Sequence, residues 1–244
     1  MNAKSDDLKV LAFDIETGPL PSEVIESIAP SFKAEDVKTG NTKDLKLISD
    51  KVEAARQNHY SRIHDRAALH AEYSQVVAIG ITNGVDIWIE DMTSTDERWM
   101  LKWFWNHVQT AYHDGHFLAG HNIKGFDLPY LVRRSMIHRI APPAELMPQR
   151  GRFWGRWWFD TMEAWMLGDR ESRISLDRLS KAIQVGSKDV DLRDLHGKAG
   201  SGKYFAKLLK EDYDAAVVYL KTDLSLTFNI ASHLLQSVRD TEIG

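Results

Sequence analysis

Residues 8–16 have the sequence Leu-Lys-Val-Leu-Ala-Phe-Asp-Ile-Glu, and this stretch decides the fold class. Apolar side chains fall on both sets of alternating positions, which is typical of a strand covered on both faces within a sheet. Asp14 and Glu16 are two residues apart, so on a strand their side chains point to the same face. They end the apolar run directly before a loop, where α/β folds bind ligands. The sequence therefore predicts a central strand with two carboxylates at its end.

The rest of the chain supplies a hairpin and then alternating helices and strands. Residues 17–42 are rich in Pro, Gly, Ser and Thr and predict a loop, and residues 43–72 predict one or two helices. Asn83-Gly84 is a strong signal for a two-residue hairpin turn. This order predicts an α/β fold, a mixed β-sheet flanked by α-helices with a helical insertion after the first strand. The other predicted strands are 75–82, 85–90, 117–120 and 157–159, and the other predicted helices are 94–112, 127–138, one capped by Asp160 or Thr161, 175–183, 204–210 and 213–237.

Length and composition indicate a single globular domain. The 244 residues are expected to form one domain over 1–244, with 18–74 as its loop and helical insertion. The net charge of −4 argues against a protein that coats nucleic acid by bulk electrostatics. The absence of cysteine excludes a disulfide framework and thiolate metal ligands. Without a signal region or an apolar run of about 20 residues, a cytoplasmic protein with no membrane contact is expected.

Two further acidic positions lie in largely apolar surroundings. Asp127 follows a short buried strand at the start of a helix, and Asp223 lies one helical turn after Tyr219 on the same face. A buried, unpaired carboxylate costs several kcal/mol, on the order of the values measured in proteins, and a shared divalent cation is the simplest partner. The alternatives stay open at this point. Asp127 could be a first-turn acid, Asp223 a boundary residue, and Asp14 with Glu16 an exposed strand end.

Three motifs together make the pattern specific. Phe13-Asp14-Ile15-Glu16-Thr17 comes first, Asn122-x-x-x-Phe126-Asp127 second, and Tyr219-x-x-x-Asp223 third. The chain resembles DEDD-type 3′–5′ exonucleases of the tyrosine branch, with a ribonuclease-H-like fold. The greatest resemblance is to the proofreading exonuclease domains of family B DNA polymerases. Val218 does not match the histidine branch. The resemblance spans residues 8–235 except for 17–74, and a free-standing protein or subunit is expected because no polymerase region follows.

The resemblance also implies a mechanism and a set of site residues. It implies that the four carboxylates hold two Mg²⁺ or Mn²⁺ ions, with Asp14 bridging them. Tyr219 is expected to orient, and to help deprotonate, the attacking water. Contacts to the substrate are expected from Thr17, Asn122 and Phe126, although ordinary burial or capping would also explain these three residues. The implied catalytic residues are Asp14, Glu16, Asp127, Tyr219 and Asp223.

A basic segment offers a second hint of nucleic acid. Residues 133–156 contain six arginines and one acid, and Phe153, Trp154, Trp157 and Trp158 lie within or just after it. Arginine interleaved with aromatic residues suits a track for a single strand. The alternative is a solvated loop whose tryptophans turn into the core. The arginines are Arg133, Arg134, Arg139, Arg150, Arg152 and Arg156.

The leading hypothesis is a metal-dependent 3′–5′ exonuclease that hydrolyses single-stranded DNA and releases nucleoside 5′-monophosphates. The same chemistry on RNA is an alternative, since these motifs contain no contact that distinguishes the sugars. A non-catalytic nucleic-acid-binding protein of the same fold is a second alternative, and it predicts that at least one carboxylate is missing. The expected partners are the 3′ ends of single strands, with DNA favoured, and the sequence identifies no protein partner.

Overall fold

The computed structural model describes residues 8–148, 154–188 and 202–242, and its centre is one mixed five-stranded sheet. The strands are β1 (Val10–Pro19), β2 (Ser74–Thr82), β3 (Ile87–Asp91), β4 (Phe117–Gly120) and β5 (Trp158–Asp160). They are ordered β3-β2-β1-β4-β5, so β1 lies in the middle. β1 pairs antiparallel with β2 and parallel with β4, while β2–β3 is antiparallel and β4–β5 is parallel. The predicted mixed sheet around a central first strand is confirmed.

Helices cover both faces of this sheet. Asp44, Asp96, Asp160 and Ser175 accept backbone N–H groups at the starts of four of them, which explains where those helices begin. Within the described ranges, no helix is both long and apolar enough to cross a membrane. The α-helices are α1 (Ser22–Ile28), α2 (Leu45–Arg66), α3 (Glu97–His113), α4 (Asp127–Ile137), α5 (Thr161–Met166), α6 (Leu176–Ala182), α7 (Gly202–Glu211) and α8 (Tyr213–Glu242), and short 3₁₀ turns occupy Ala34–Asp36, Ala67–Leu69, Ala144–Leu146 and Arg170–Ser172.

The predicted loop over 17–42 contains regular structure. β1 runs to Pro19 through an irregularity between Glu16 and Thr17, and α1 follows almost at once. The Pro- and Ser-rich composition indicated a loop, but Ile25 of α1 is fully buried, and tertiary packing of this kind overrides local propensity. α2 accounts for most of the predicted helical stretch 43–72. Residues 20–73, named the arm below, therefore form a helical insertion between β1 and β2.

The alternation of β1 decides which face carries the acids. Phe13 and Ile15 enter the larger core together with residues of α3 and α4. Val10 and Ala12 point the other way, into a smaller core shared with Ala231 of α8. Because successive strand residues alternate, the side chains two and four residues after Ala12 lie on the α8 face. The two strand carboxylates are thus directed toward the closing helix.

A glycine lets this helix approach the sheet closely. Gly80 on β2 pairs with Asp14 on β1. A Cβ atom at Gly80 would lie 2.5 Å from Cδ1 of Leu224, well inside van der Waals contact. Leu220 and Leu224 of α8 are both fully buried against this part of the sheet. The residues on the next face of α8, Tyr219 and Asp223, are thereby held beside the end of β1.

A buried ion pair links the helices on the opposite face of the sheet to β2. Arg134 of α4 donates from Nε to Oε1 of Glu97 at 2.7 Å and from Nη2 to Oε2 at 2.5 Å. Glu97 also accepts the N–H of Val76 at 2.8 Å and contacts His138 Nε2 at 2.6 Å. Arg134 donates its remaining Nη1 to the carbonyl of Ala71 at 2.8 Å. This network ties α3 and α4 to the start of β2.

Candidate active site

Three carboxylates converge at the end of β1. One oxygen from each of Asp14, Glu16 and Asp223 lies within 4.8 Å of the other two. These three residues are named the carboxylate cluster. Asp223 is 6% exposed, while the two residues on β1 are half-buried. The strand period and the position of α8 are what bring together side chains about 200 positions apart in sequence.

Asp127 lies next to the cluster without being one of its three members. It begins α4, just after β4, and is 4% exposed. Its charge interacts with that of Asp14, and the backbone of Ile15 lowers its pKa. The structure therefore places all four predicted carboxylates near the end of the central strand β1.

Burial and mutual repulsion make the charged forms of these carboxylates less favourable. Burial raises the pKa of Asp14 well above its usual range, and the nearby charges of Asp127 and Asp223 raise it further. Burial and then the charge of Asp14 likewise raise the pKa of Glu16. Burial also raises the pKa of Asp127 to about 7, against the opposing effect of backbone hydrogen bonds. Crowded carboxylates of this kind favour either protons or a bound cation.

Lys188 is a functional candidate that sequence reasoning missed. Its Nζ lies 2.6 Å from Oδ1 and 2.7 Å from Oδ2 of Asp223. The same ammonium donates to the hydroxyl of Tyr219 at 3.4 Å and lies 4.7 Å from the centre of that ring. Its positive charge lowers the pKa of both Asp14 and Glu16. No motif marks this lysine, which follows a helix end and precedes Tyr219 by 31 positions.

Tyr219 lies beside the cluster, partly buried on α8. Its ring packs 6.1 Å from that of Phe205 on α7. Burial raises the pKa of Tyr219 far above its usual value, and the charges of Glu16 and Asp223 add to this effect. The phenol is therefore protonated at neutral pH and available as a hydrogen-bond donor.

The loop between β4 and α4 is fixed by Asp160. This buried carboxylate accepts the backbone N–H of Asn122 and that of Lys124, both at 2.9 Å. Asn122 adopts a left-handed backbone with φ of 63°, and its side-chain oxygen lies 3.4 Å from Arg173 Nη2. Phe126 is partly buried, its ring 5.4 Å from that of Tyr130. Phe126 directly precedes Asp127 in the chain, and Asn122 lies earlier in the same loop.

Thr17 has a different place from the one predicted. It is 3% exposed, and its hydroxyl donates to the carbonyl of Ala68 at 2.7 Å. This bond joins the end of β1 to the 3₁₀ turn that follows α2. The hydroxyl is committed to the fold, so a substrate contact through it is not supported. Nothing in the sequence around Thr17 indicated that its hydroxyl would bond to the carbonyl of Ala68.

Of the four described arginines in the arginine-rich segment, Arg133, Arg139 and Arg156 are exposed and Arg134 is buried. Arg134 is buried in its ion pair with Glu97, because a desolvated guanidinium needs such a partner. Trp154 and Trp157 pack against the larger core, and Trp158 is 1% exposed. Arg150 and Arg152 lie outside the described residues. The alternative of tryptophans turned into the core is the one that the structure supports for these three.

The chemistry of the cluster fits a divalent metal. All its ligand atoms are carboxylate oxygens, which Mg²⁺ and Mn²⁺ prefer. The raised pKa values of Asp14 and Glu16 indicate a surplus of negative charge that a cation would relieve. Asp14, Glu16 and Asp223 are the residues that could hold such an ion, with Asp127 adjacent.

This fold, with a carboxylate cluster at the end of its central strand, is of the ribonuclease-H-like class. The family model for the exonuclease domain of DNA polymerase family B matches residues 1–156, almost two thirds of the chain. The chain therefore belongs to the exonuclease domain family of family B DNA polymerases, and the predicted family is confirmed. No curated protein matches the sequence. Tyr219 and Asp223 fall beyond the range of the family model.

A solved structure extends the similarity of fold over nearly the whole chain. The family B DNA polymerase from the hyperthermophilic archaeon Pyrobaculum calidifontis matches 96% of this chain with a TM-score of 0.55 and 17% sequence identity. The matched part is 25% of the polymerase, so this chain spans about a quarter of that protein. At this identity the match concerns the fold alone, and the ribonuclease-H-like architecture predicted from the sequence is confirmed.

Proposed function

We propose that this chain is a metal-dependent 3′–5′ exonuclease that removes nucleoside 5′-monophosphates from the 3′ end of single-stranded DNA. The convergence of Asp14, Glu16 and Asp223 within 4.8 Å, inside a family of exonuclease domains, is the observation that carries this proposal. Residues 1–244 act as a single exonuclease domain in this account. The −4 net charge fits an enzyme that grips one strand end locally.

The four carboxylates Asp14, Glu16, Asp127 and Asp223 would hold the divalent ions, two Mg²⁺ or Mn²⁺ in this proposal. When bound, these ions supply Lewis-acid stabilisation to the attacking and leaving oxygens of an in-line phosphoryl displacement. The buried positions of Asp127 and Asp223 limit their hydration and fix their orientation, so they bind the cations as preorganised ligands. Asp14 and Glu16 reach the same point from the rigid central strand.

Tyr219 positions the attacking water. Its raised pKa keeps the hydroxyl protonated, so it acts as a hydrogen-bond partner and does not remove the proton itself. The contact with Lys188 and the packing on Phe205 restrict where this hydroxyl can lie. Water oriented in this way attacks the terminal phosphodiester, and the bond to the 3′ oxygen of the penultimate nucleotide breaks. The proton from the water passes to solvent, and the departing 3′ oxygen is protonated.

Asn122 and Phe126 contact the terminal nucleotides. The loop that carries them is held against β5 by Asp160, which keeps both residues at the entrance beside Asp127. An aromatic face at position 126 can stack on any base, which suits an enzyme without sequence preference. Thr17 contributes by fixing the end of β1 through its bond to Ala68.

Single strands of DNA and RNA, labelled at the 5′ end, test the proposal. Incubation with Mg²⁺ or Mn²⁺ is expected to give ladders that shorten from the 3′ end, and EDTA is expected to stop the reaction. Asp14→Asn is expected to give no ladder. Asp86→Asn, which removes an exposed carboxylate at the far hairpin, is the matched control and is expected to behave as wild type.

Each outcome has a direct meaning. Shortening from the 5′ end, or equal activity in Asp14→Asn, would contradict the proposed reaction. A ladder with RNA and none with DNA would replace the proposed substrate by RNA while leaving the chemistry in place. Binding of strands without any hydrolysis in either metal would favour the non-catalytic alternative.

A further inference from the structure

The arm contains an open groove that the proposed catalytic residues do not use. The groove lies between residues 31–38 and the middle of α2, and its cavity is about 740 Å³. Phe32, Val37 and Ile63 contribute apolar surface to its lining. The structure describes all 22 residues of α2, and none of them is buried. A helix that is polar around most of its surface bridges solvent, depends on side-chain pairs along its own surface, or is not stable by itself.

The lining of this arm groove is locally positive. Lys33, Lys38 and Arg62 line it, against Asp36 as the one acid in the lining. All three cations are exposed, and among the described residues none of them has a carboxylate within 4.0 Å. Lys51, elsewhere in the arm, donates to the carbonyl of Thr39 at 2.8 Å and does not line the groove. Three unpaired cations on a chain of net charge −4 are an anion-attracting surface.

The arm starts from the same edge of the sheet as the carboxylate cluster. It leaves β1 after Pro19, three residues beyond Glu16, and returns where Pro19 pairs with Ser74. The bond from Thr17 to Ala68 holds the end of the arm against this edge. Residue 59 on the groove side of α2 precedes the turn at residue 67 by eight positions, or about 12 Å along a helix axis. The groove is thus connected, along α2, to the end of β1 that carries the cluster.

The chemistry of the lining fits a single-stranded polynucleotide better than a docked helix. Lysine and arginine neutralise phosphates, and an aromatic ring such as that of Phe32 offers a face for stacking. A docked amphipathic helix would need a row of apolar anchors. α2 instead presents polar and charged side chains around most of its circumference, with a narrow, partly covered stripe that includes Val52, Ala55 and Ile63.

We infer that the arm groove binds the stretch of single-stranded nucleic acid that lies 5′ to the nucleotides in the active site. This inference rests on the proposed function. Lys33, Lys38 and Arg62 contact successive phosphates, so the arm raises the affinity for long strands. A substrate too short to reach the groove gains nothing from it.

The test compares two triple variants with the same change in charge. Lys33→Gln/Lys38→Gln/Arg62→Gln removes the cations of the groove, and Lys43→Gln/Lys46→Gln/Arg56→Gln removes exposed cations of the arm that do not line it. A strand of about 20 nucleotides exceeds the ~4–16 that a single-strand binding module covers, and a trinucleotide falls below that range. For the groove variant, KM for the long strand is expected to rise about tenfold with kcat unchanged. For the trinucleotide, KM and kcat of the groove variant are expected to equal those of the wild-type protein.

Binding in EDTA separates failure of this inference from failure of the proposed function. Fluorescence anisotropy with the labelled long strand reports affinity even if no hydrolysis occurs. The slope of log affinity against log salt is expected to weaken by about 2 for the groove variant, since each phosphate contact to a single strand contributes about 0.7. The control variant is expected to keep the wild-type slope. Equal slopes and equal KM values for the two triple variants would overturn the inference, whether or not the wild-type protein is an exonuclease.

Discussion

The acidic side chains on the α3/α4 face and those at the end of β1 have opposite surroundings. On the α3/α4 face, Glu97 is matched by the guanidinium fork of Arg134, by a backbone N–H and by His138. At the end of β1, Asp14, Glu16 and Asp223 instead face one another, and Lys188 offers one ammonium against them. In the first arrangement, neighbouring groups of the protein supply the hydrogen-bond partners of the Glu97 carboxylate. The second leaves an excess of negative charge, which marks it as a place for binding and chemistry.

The sharpest way to separate the two regions is to remove one acid from the carboxylate cluster. Asp14→Asn is expected to lower hydrolysis about a thousandfold, equivalent to about 4 kcal/mol of transition-state stabilisation. It is also expected to leave the metal-free protein as stable as wild type or more stable, because it removes repulsion. Single-turnover kinetics and urea unfolding in EDTA measure the two effects. A large loss of stability in this variant would mean that the cluster serves the fold.

The Glu97 network is expected to show the reverse pattern. Arg134→Leu leaves the buried Glu97 without its main partner, and the free energy of unfolding is expected to fall by about 3–5 kcal/mol. The activity of the folded fraction is expected to remain. Lys207→Gln, which removes an exposed partner of Glu211, is a control expected to change stability by no more than about 0.5 kcal/mol. An Arg134 variant as stable as this control would contradict the structural role of the network.

The pH dependence of stability in EDTA gives a smaller contrast. The pKa of Asp127 is raised from its ordinary 3.8 to about 7, chiefly by burial. Between these values the folded state binds more protons than the unfolded state, so this contribution to stability falls as pH rises from about 4 to 7. The slope from one such group is at most about 1.4 kcal/mol per pH unit. Asp127→Asn is expected to flatten the profile, and an identical profile would contradict the assignment.

The smallest expected effect concerns Lys188. Its ammonium contacts both oxygens of Asp223, so it competes with a divalent cation for that ligand. Lys188→Met is expected to lower the Mn²⁺ concentration for half-maximal activation severalfold, because the ammonium that competes with the cation for Asp223 is removed. Titration of initial rates against Mn²⁺ measures this change. An unchanged or higher requirement would show that the lysine does not oppose the cation.

Local patterns explain which parts of the fold and of the candidate site could be predicted. Short apolar runs and the Asn83-Gly84 turn identified the strands, and β4 was predicted with its observed bounds, Phe117–Gly120. Alternation on β1 and the four-residue spacing on α8 also put Asp14 with Glu16, and Tyr219 with Asp223, on common faces. These regularities depend on neighbours in sequence, so one chain is enough to recognise them.

The rest depends on contacts between distant residues. The burial of Arg134 is decided by Glu97 on another helix, and the hydroxyl of Thr17 is taken up by Ala68 at the far end of the arm. Lys188 is brought to Asp223 by the way residues after α6 pass over α8. Helix α1 forms because Ile25 finds a buried site. No periodicity in the sequence encodes these long-range pairings.

A titration with Mn²⁺ shows whether Asp14, Glu16 and Asp223 bind a divalent ion. Electron paramagnetic resonance of free Mn²⁺ is to be followed during titration with wild-type protein, with Asp14→Asn/Glu16→Gln/Asp223→Asn, and with the Asp86→Asn control. Saturable uptake is expected for wild type and for the control, with the triple variant leaving the Mn²⁺ free. Equal uptake by all three proteins would contradict the account, because the ion would then bind somewhere other than the end of β1.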